Sequence, residues 1–428
     1  MDKNYKLLIL LNIFLGVSIS VVCTTGLFDL LYLRMQFNLS WFGLIRGSMF
    51  FLPALCYFAA APFLKGTARS REIVQWAYFI RIWIVVLIPV IALCTANPHL
   101  LLTGAVIFTS IAFVAAAFAN NTLMVLYRQL LPQSDFNRQN AVLTSCINIA
   151  ATVFSLLAAG ALSMAGGFSN RNFYLLFIAL TAGTGVFEFL VFRINRKLSI
   201  PKNQMMSPPR ISLAKSIRQA FDGFRSPAYR QLLLVVASAS FFASLLDTYL
   251  CVYLYKVQHA SAFVVALIGT VAVFAGNLAG IGLGKWCDRI GYLRFFRQGT
   301  IAMLALTLLF AFFNSQLWIV AIFMFFVYNG SSGLLAGAML NLRNAAAARL
   351  TPATGGESHI AAFAMMFMLC SFAGAISAGW LFSQCQRWTD GGTADSFSLY
   401  FKIVAVSAAL LLLPLFGRGC KLLDAKNG

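Results

Sequence analysis

Residues 262–284 read AFVVALIGTVAVFAGNLAGIGLG, residues 285–294 read KWCDRIGYLR, and residues 295–314 read FFRQGTIAMLALTLLFAFFN. Two apolar runs of about twenty residues flank a short basic gap. At 1.5 Å per helical residue, each run matches the roughly 30 Å hydrocarbon core of a bilayer. Cutting the rest of the chain at its polar gaps extends the pattern to twelve spans. They lie near 7–33, 42–64, 74–95, 100–127, 141–165, 172–192, 231–255, 262–284, 295–314, 316–341, 360–384 and 398–417. The expected fold class is all-α, an integral membrane protein with twelve transmembrane helices.

The basic residues then orient the spans. Of 32 Lys and Arg, 25 fall in the amino terminus, every second gap and the carboxyl terminus. Six more (Arg34, Arg46, Arg171, Lys256, Arg387 and Lys402) sit at the opposite gaps, and Arg81 alone lies well inside a span. Cytoplasmic loops are the ones enriched in Lys and Arg, so both termini are expected in the cytoplasm. Composition agrees: charged residues make up 10% of the chain and hydrophobic residues 60%, against about 25% charged in a soluble domain. A net charge of +20 invites a nucleic-acid partner, but the charges are scattered over seven short stretches. Attraction to anionic lipid explains them instead, and no nucleic acid is expected.

Lys3 and Lys6 precede an apolar stretch that continues to Leu33, longer than the 7–15 residues of a cleavable signal core. It reads as an uncleaved first span. The nine Cys are scattered, with no pair at metal-ligand spacing, so neither a metal nor a disulfide framework is expected. No HExxH motif and no GxxxxGK[ST] loop occurs, which argues against an intramembrane metalloprotease and against ATP-driven transport. No enzyme activity and no cofactor are expected.

The longest polar interval, 193–230, holds nine basic residues and one acid, Asp222. It divides the chain into a first six-span half (1–192), a cytoplasmic linker (193–230) and a second six-span half (231–428). Within the linker, Leu213, Ile217, Phe221 and Phe224 recur at helical spacing, which suggests a short helix on the membrane surface. The halves align in part: Tyr32-Leu33 answers Tyr253-Leu254, and Leu44-Ile45 answers Leu267-Ile268. Repeated halves are typical of secondary transporters, with the solute site at the midplane between them.

The gap that opened this reading carries Gly284, Asp288, Arg289, Gly291 and Arg294 in a GxxxDRxGxxR pattern, after a Gly-rich span. At the cytoplasmic exit of the eighth of twelve spans, it resembles the signature loop of the major facilitator superfamily. The resemblance implies two pseudo-symmetric six-helix bundles that rock about a central solute site. It also implies that this loop latches the inside-closed state, with Asp288 facing Arg138 or Arg343. The first half departs from the pattern, with Lys65 where the family has an acid. An inverted pair of Lys65 with Glu357 is therefore expected. Span 5 offers only Ala158-Ala159-Gly160 in place of the GPxxGG-like run of many drug–proton antiporters, which argues against drug export of that type.

An acid at a span centre costs about 2.5–3.5 kcal/mol on insertion scales and marks a cavity or a partner. Asp29 in span 1 and Asp247 in span 7 are thus the coupling or substrate candidates, Asp247 being the deeper. Arg46 and Arg81 are further candidates; Arg81 has three expected uses, snorkelling to the cytoplasm, meeting an anionic solute, or pairing with Glu188. Asn120, Asn121, Asn148, Asn277 and Asn329 are amides able to hydrogen-bond a sugar-like or nucleoside-like solute. The many Phe read as lipid-facing bulk, and Tyr249, Tyr253 and Tyr328 as possible cavity lining. The expected function is secondary transport of a small organic solute by alternating access, coupled to a proton or sodium through Asp247 and Asp29. The expected setting is the cell's inner (plasma) membrane, as a monomer. A drug or metabolite exporter and a non-transporting sensor on the same fold are the alternatives.

Overall fold

The computed structural model describes residues 3–23, 25–64, 70–131, 136–164, 169–198, 227–290, 292–327 and 356–424. Within them, helices account for nearly all of the chain. They are α1 (Lys3–Cys23), α2 (Thr25–Arg34), α3 (Phe42–Leu64), α4 (Ser70–Cys94), α5 (Pro98–Leu130), α6 (Phe136–Met164), α7 (Asn170–Gly185) and α8 (Phe187–Lys197). The series continues with α9 (Pro227–Lys256), α10 (Ala262–Ile290), α11 (Tyr292–Phe313), α12 (Leu317–Val327), α13 (Gly356–Trp388) and α14 (Thr393–Asp424). Each of the twelve expected spans overlaps one of these helices; spans 1 and 6 are each made of two, α1 with α2 and α7 with α8. Among the described residues, nine helical segments are long and apolar enough to cross a membrane.

Helix ends follow local chemistry. Asn97 accepts hydrogen bonds from the His99 and Leu100 backbone N–H groups, and Pro98 opens α5 where its missing N–H costs nothing. Ser169 caps α7 by accepting from the Asn172 N–H. Spans 1 and 7 both lead into a residue with left-handed backbone, Gln36 (φ 59°) and His259 (φ 50°), a common way to leave a helix. A boundary difference with consequences for the site concerns span 8, expected to stop at 284. Helix α10 runs on through Asp288 and Arg289 to Ile290, and only Gly291 separates it from α11. The expected signature loop is thus mostly helical, with Arg289 in the last turn, where the helix dipole favours a cation.

The chain forms two compact units. One contains Met1–Phe37, Phe51–Ser216 and Ser261–Ala266; the other contains Asn38–Phe50, Ile217–Ala260 and Leu267–Gly428. In the first unit α1 packs along α6, α7 and α8, while α4 packs along α5 and α7. In the second, α9 packs along α13 and α14, and α11 along α12 and α14. In span numbers, the pairs 1–5, 1–6, 3–4 and 3–6 recur as 7–11, 7–12, 9–10 and 9–12, an internal repeat displaced by six spans.

Glycine enables the tightest of these pairs. A Cβ on Gly16 of α1 would meet the Ile147 carbonyl and sit 2.8 Å from Ala150 Cβ on α6. In the matching pair the glycine sits on the other helix. A Cβ on Gly374 of α13 would meet the Phe241 carbonyl and sit 3.0 Å from Ser244 Cβ on α9. Such close backbone approach is how membrane helices gain dispersion contact when lipid supplies no hydrophobic drive.

Candidate functional site

The first unit buries a series of polar side chains between its helices. Tyr127 on α5 donates its hydroxyl to the Asn12 side-chain carbonyl on α1, and the Asn12 amide donates to Leu8 O at 2.7 Å. Tyr78 on α4 donates to the Asn120 side-chain oxygen on α5 at 2.9 Å. Ser155 on α6 donates to the Ser20 carbonyl, and the Tyr32 and Thr109 hydroxyls lie 2.7 Å apart. Ser18 Oγ lies 2.6 Å from Glu188 Oε1 and 2.8 Å from the Leu15 carbonyl oxygen. Polar links of this kind join membrane helices at about 0.6 kcal/mol each.

Of the charged candidates, Asp29 and Arg81 belong to the first unit and Arg46 and Asp247 to the second. Asp29 on α2 is 0% exposed, and Asp247 on α9 is half-buried. Arg46 on α3 is buried. Arg81 stands eleven residues into α4, about 16 Å along its axis, and is buried with its guanidinium 5.8 Å from the Phe113 ring. Its positive charge acts on the Glu188 carboxyl. Its side chain is thus enclosed by protein. Asn120 is exposed apart from its bond to Tyr78, and Asn148 is half-buried on α6.

Aromatic rings occupy the second unit's interior. Tyr249, Tyr253, Phe310, Phe382, Phe397, Tyr400 and Phe401 form a continuous cluster, with Tyr249 and Phe382 stacked at 4.3 Å and Phe310 and Phe323 also at 4.3 Å. Each tyrosine hydroxyl donates to a main-chain carbonyl: Tyr249 to Leu39, Tyr253 to Asn314 and Tyr400 to Leu245. Two sequence expectations are corrected here. Tyr249 and Tyr253 are buried among rings and line no cavity, since a hydroxyl with a carbonyl partner can enter the core. Many Phe, including Phe28, Phe42, Phe173, Phe177, Phe310, Phe382, Phe397 and Phe401, are core residues as well.

Lys65, Gly291, Tyr328, Asn329, the 330–333 stretch and Arg343 lie outside the described residues, as does the 199–226 part of the 193–230 linker. So do the side chains of Asn121, Arg138, Asn277, Asp288 and Glu357, although their helices are described. Gly284 lies within α10, and Arg289 and Arg294 are exposed on either side of Gly291. Sequence reasoning missed Ser18, Asn12 and Tyr127 as polar interior residues. The signal available was a polar side chain in each apolar span, without a way to know which faced inward.

A polytopic helical protein with two units of matching helix order has the architecture of a membrane carrier. The chain belongs to the Major Facilitator Superfamily, whose sequence profile matches residues 13–378. Solved structures of similar fold include a bacterial homologue of the human lysosomal transporter Spinster, in an inward-facing and unoccupied conformation. It has a TM-score of 0.68 and 14% identity over 99% of each chain. The nucleoside transporter NupG aligns with a TM-score of 0.64 at 15% identity, over 97% of this chain and 99% of that one. A D-xylose–proton symporter aligns with a TM-score of 0.65 at 13% identity, over 94% and 96% respectively. No curated protein sequence matches the chain. The protein is thus an integral membrane secondary transporter with the twelve-helix fold of its family.

Proposed function

We propose that this transporter carries a small organic solute by alternating access of its two halves, coupled to a proton or cation through Asp29 and Asp247. The observation that carries the reading is Asp29, an acid with no exposed surface in the helix that completes span 1. Asp247 supports it from span 7, the corresponding span of the second half, one helical turn from the position aligned with Asp29. Keeping an acid at such depth costs stability, and membrane proteins retain that cost where the acid serves a route for ions or solute. Both termini are cytoplasmic on this reading, and the gate is formed by the α10–α11 junction (Gly284, Asp288, Arg289, Gly291 and Arg294) with Arg138 or Arg343. The Lys65–Glu357 pair is its counterpart.

Among the fold relatives, one is named for nucleosides and others for proton symport of xylose and fucose. Those names order the search. Hydroxylated neutral solutes come first, and Asn120 and Asn148 supply amides to bind them. The test begins with a thermal-shift screen of the purified protein against nucleosides, sugars, organic acids and drugs. The solute that stabilises it is then followed into proteoliposomes under an imposed pH or sodium gradient. Gradient-driven accumulation in the wild type, reduced at least tenfold in Asp29→Asn and Asp247→Asn, supports the reading. Coupling unchanged in both variants overturns the roles of the acids, and binding without flux favours a sensor.

A further inference from the structure

Glu188 is a buried acid to which transport, as proposed above, assigns no part. It sits in the first turn of α8 with 1% of its surface exposed, beside Phe187, which packs on Phe14 of α1 and Phe154 of α6. Oε2 is buried with no hydrogen-bond partner. Oε1 meets the Ser18 hydroxyl at 2.6 Å.

The same Ser18 oxygen lies 2.8 Å from the Leu15 carbonyl oxygen, and both separations are normal for O–H···O bonds. A serine hydroxyl has one proton to give, and a carbonyl can only accept. If Glu188 is ionised, both neighbours of Ser18 Oγ are acceptors and one contact holds no proton. If Glu188 carries a proton, it donates to Ser18 Oγ, Ser18 donates to Leu15 O, and both contacts are hydrogen bonds. The bare Oε2 points the same way. A buried carboxylate needs several donors, whereas the carbonyl oxygen of a neutral acid tolerates having none at far smaller cost.

We propose that Glu188 is a proton-binding site, and that the Ser18 hydroxyl turns between Glu188 and the Leu15 carbonyl as the proton leaves and arrives. On uptake, a hydronium ion gives its proton to Oε1, so one O–H bond breaks as another forms and water is left, and the Ser18 hydroxyl turns from Oε1 to Leu15 O. No other covalent bond is made or broken. Arg81 keeps its charge throughout, so the buried Glu188–Arg81 neighbourhood alternates between neutral and singly positive.

Other charged groups on the packed helices are placed elsewhere. On α1, Lys3, Tyr5 and Lys6 lie twelve or more residues below Ser18, about 18 Å along the helix. On α4, Glu72 is exposed and Tyr78 is bonded to Asn120. Arg171 and Tyr174 stand at the far end of α7, and Arg193, Arg196 and Lys197 are exposed on α8. Among described groups, Arg81 is the charge that acts on Glu188.

Any link between this proton and solute movement rests on the coupled-transport reading, but proton binding itself does not. The test is infrared difference spectroscopy of the full-length protein in lipid between mildly acidic and alkaline pH, with no solute present. The carbonyl stretch of a protonated carboxyl reports each acid. Glu188→Gln should lose one such band that Asp29→Asn and Asp247→Asn both keep, and Ser18→Ala should shift that band's frequency. A Glu188→Gln spectrum superimposable on the wild type overturns the proposal. Should that variant not fold, an unshifted band in Ser18→Ala does the same. If the band is lost in Glu188→Gln while flux proves indifferent to pH, the site stands and proton-coupled transport falls.

Discussion

The two units pair their helices in the same order and fill the space between them with different chemistry. Among the described residues, the first unit is joined by side-chain hydrogen bonds: Tyr127 with Asn12, Tyr78 with Asn120, Tyr32 with Thr109 and Ser18 with Glu188. The second unit is joined by stacked rings whose hydroxyls end on main-chain carbonyls. Helix order is thus insensitive to whether a seam is polar or aromatic. Close glycine contacts in the 1–5 and 7–11 pairs set the spacing, and the filling is left to diverge. The polar seam includes Glu188, a buried acid that can respond to protons, whereas the ring cluster is built from Phe and Tyr.

The contrast is broken most severely by cutting into the rings. Phe382→Ala removes a fully buried ring at the centre of the cluster. It should cost about 3–5 kcal/mol, seen as a large drop in melting temperature that does not vary with pH. A pH-dependent loss would mean that a titrating group is coupled to the ring cluster. Gly43→Val comes next. Its Cβ would stand 2.7 Å from Gly379 N and 2.8 Å from Gly379 Cα on α13, an overpacking worth about 1–3 kcal/mol. By contrast, Gly183→Ala on α7 meets nothing within 4 Å and should be neutral or slightly stabilising. Melting curves of the two variants side by side separate close packing from glycine content.

Smaller effects refine the comparison. Tyr249→Phe keeps the ring stack and removes the hydroxyl bond to Leu39 O, so a loss of about 1 kcal/mol is expected. Tyr78→Phe removes a hydroxyl bonded to an exposed amide and should cost about 0.6 kcal/mol. Equal losses would mean that the first unit's polar seam carries as much stability as a buried aromatic anchor.

Span positions were legible in the sequence because lipid imposes length and apolarity together. Span 2 was expected at 42–64, and α3 runs from Phe42 to Leu64. The DRxG-type motif, sited after span 8, carried the family. Helical facing was not legible. In a soluble helix the polar face reveals the buried one, but a membrane helix is apolar all round. Trp380 and Phe382 lie two residues apart on α13, yet Trp380 is 65% exposed and Phe382 is 0%. Nothing in their composition separates lipid from core.

The polar site was half legible for the same reason. Arg81 stood out as a charge within a span, and Glu188 was named as its neighbour. Ser18, 170 residues from Glu188, gave no sign of meeting it. A lone serine in an apolar run commonly bonds its own helix backbone, as Ser48 does to Ile45 O and Ser240 to Val236 O. Only the fold shows that Ser18 faces both a main-chain carbonyl and a carboxyl group. Similarly, Tyr32 and Tyr253 align in sequence, yet one hydroxyl pairs with a Thr side chain and the other with a main-chain carbonyl.

Solute-driven proton movement tests the central claim most directly. The purified protein, reconstituted with a pH-sensitive dye trapped inside the vesicles, is challenged with the nucleoside or sugar selected by thermal shift. Wild-type vesicles should change internal pH as the solute is added, and Asp29→Asn vesicles should move solute downhill without that change. Solute flux that never alters internal pH in the wild type, under any sodium condition, would contradict proton coupling. Tight binding with no flux would contradict transport itself.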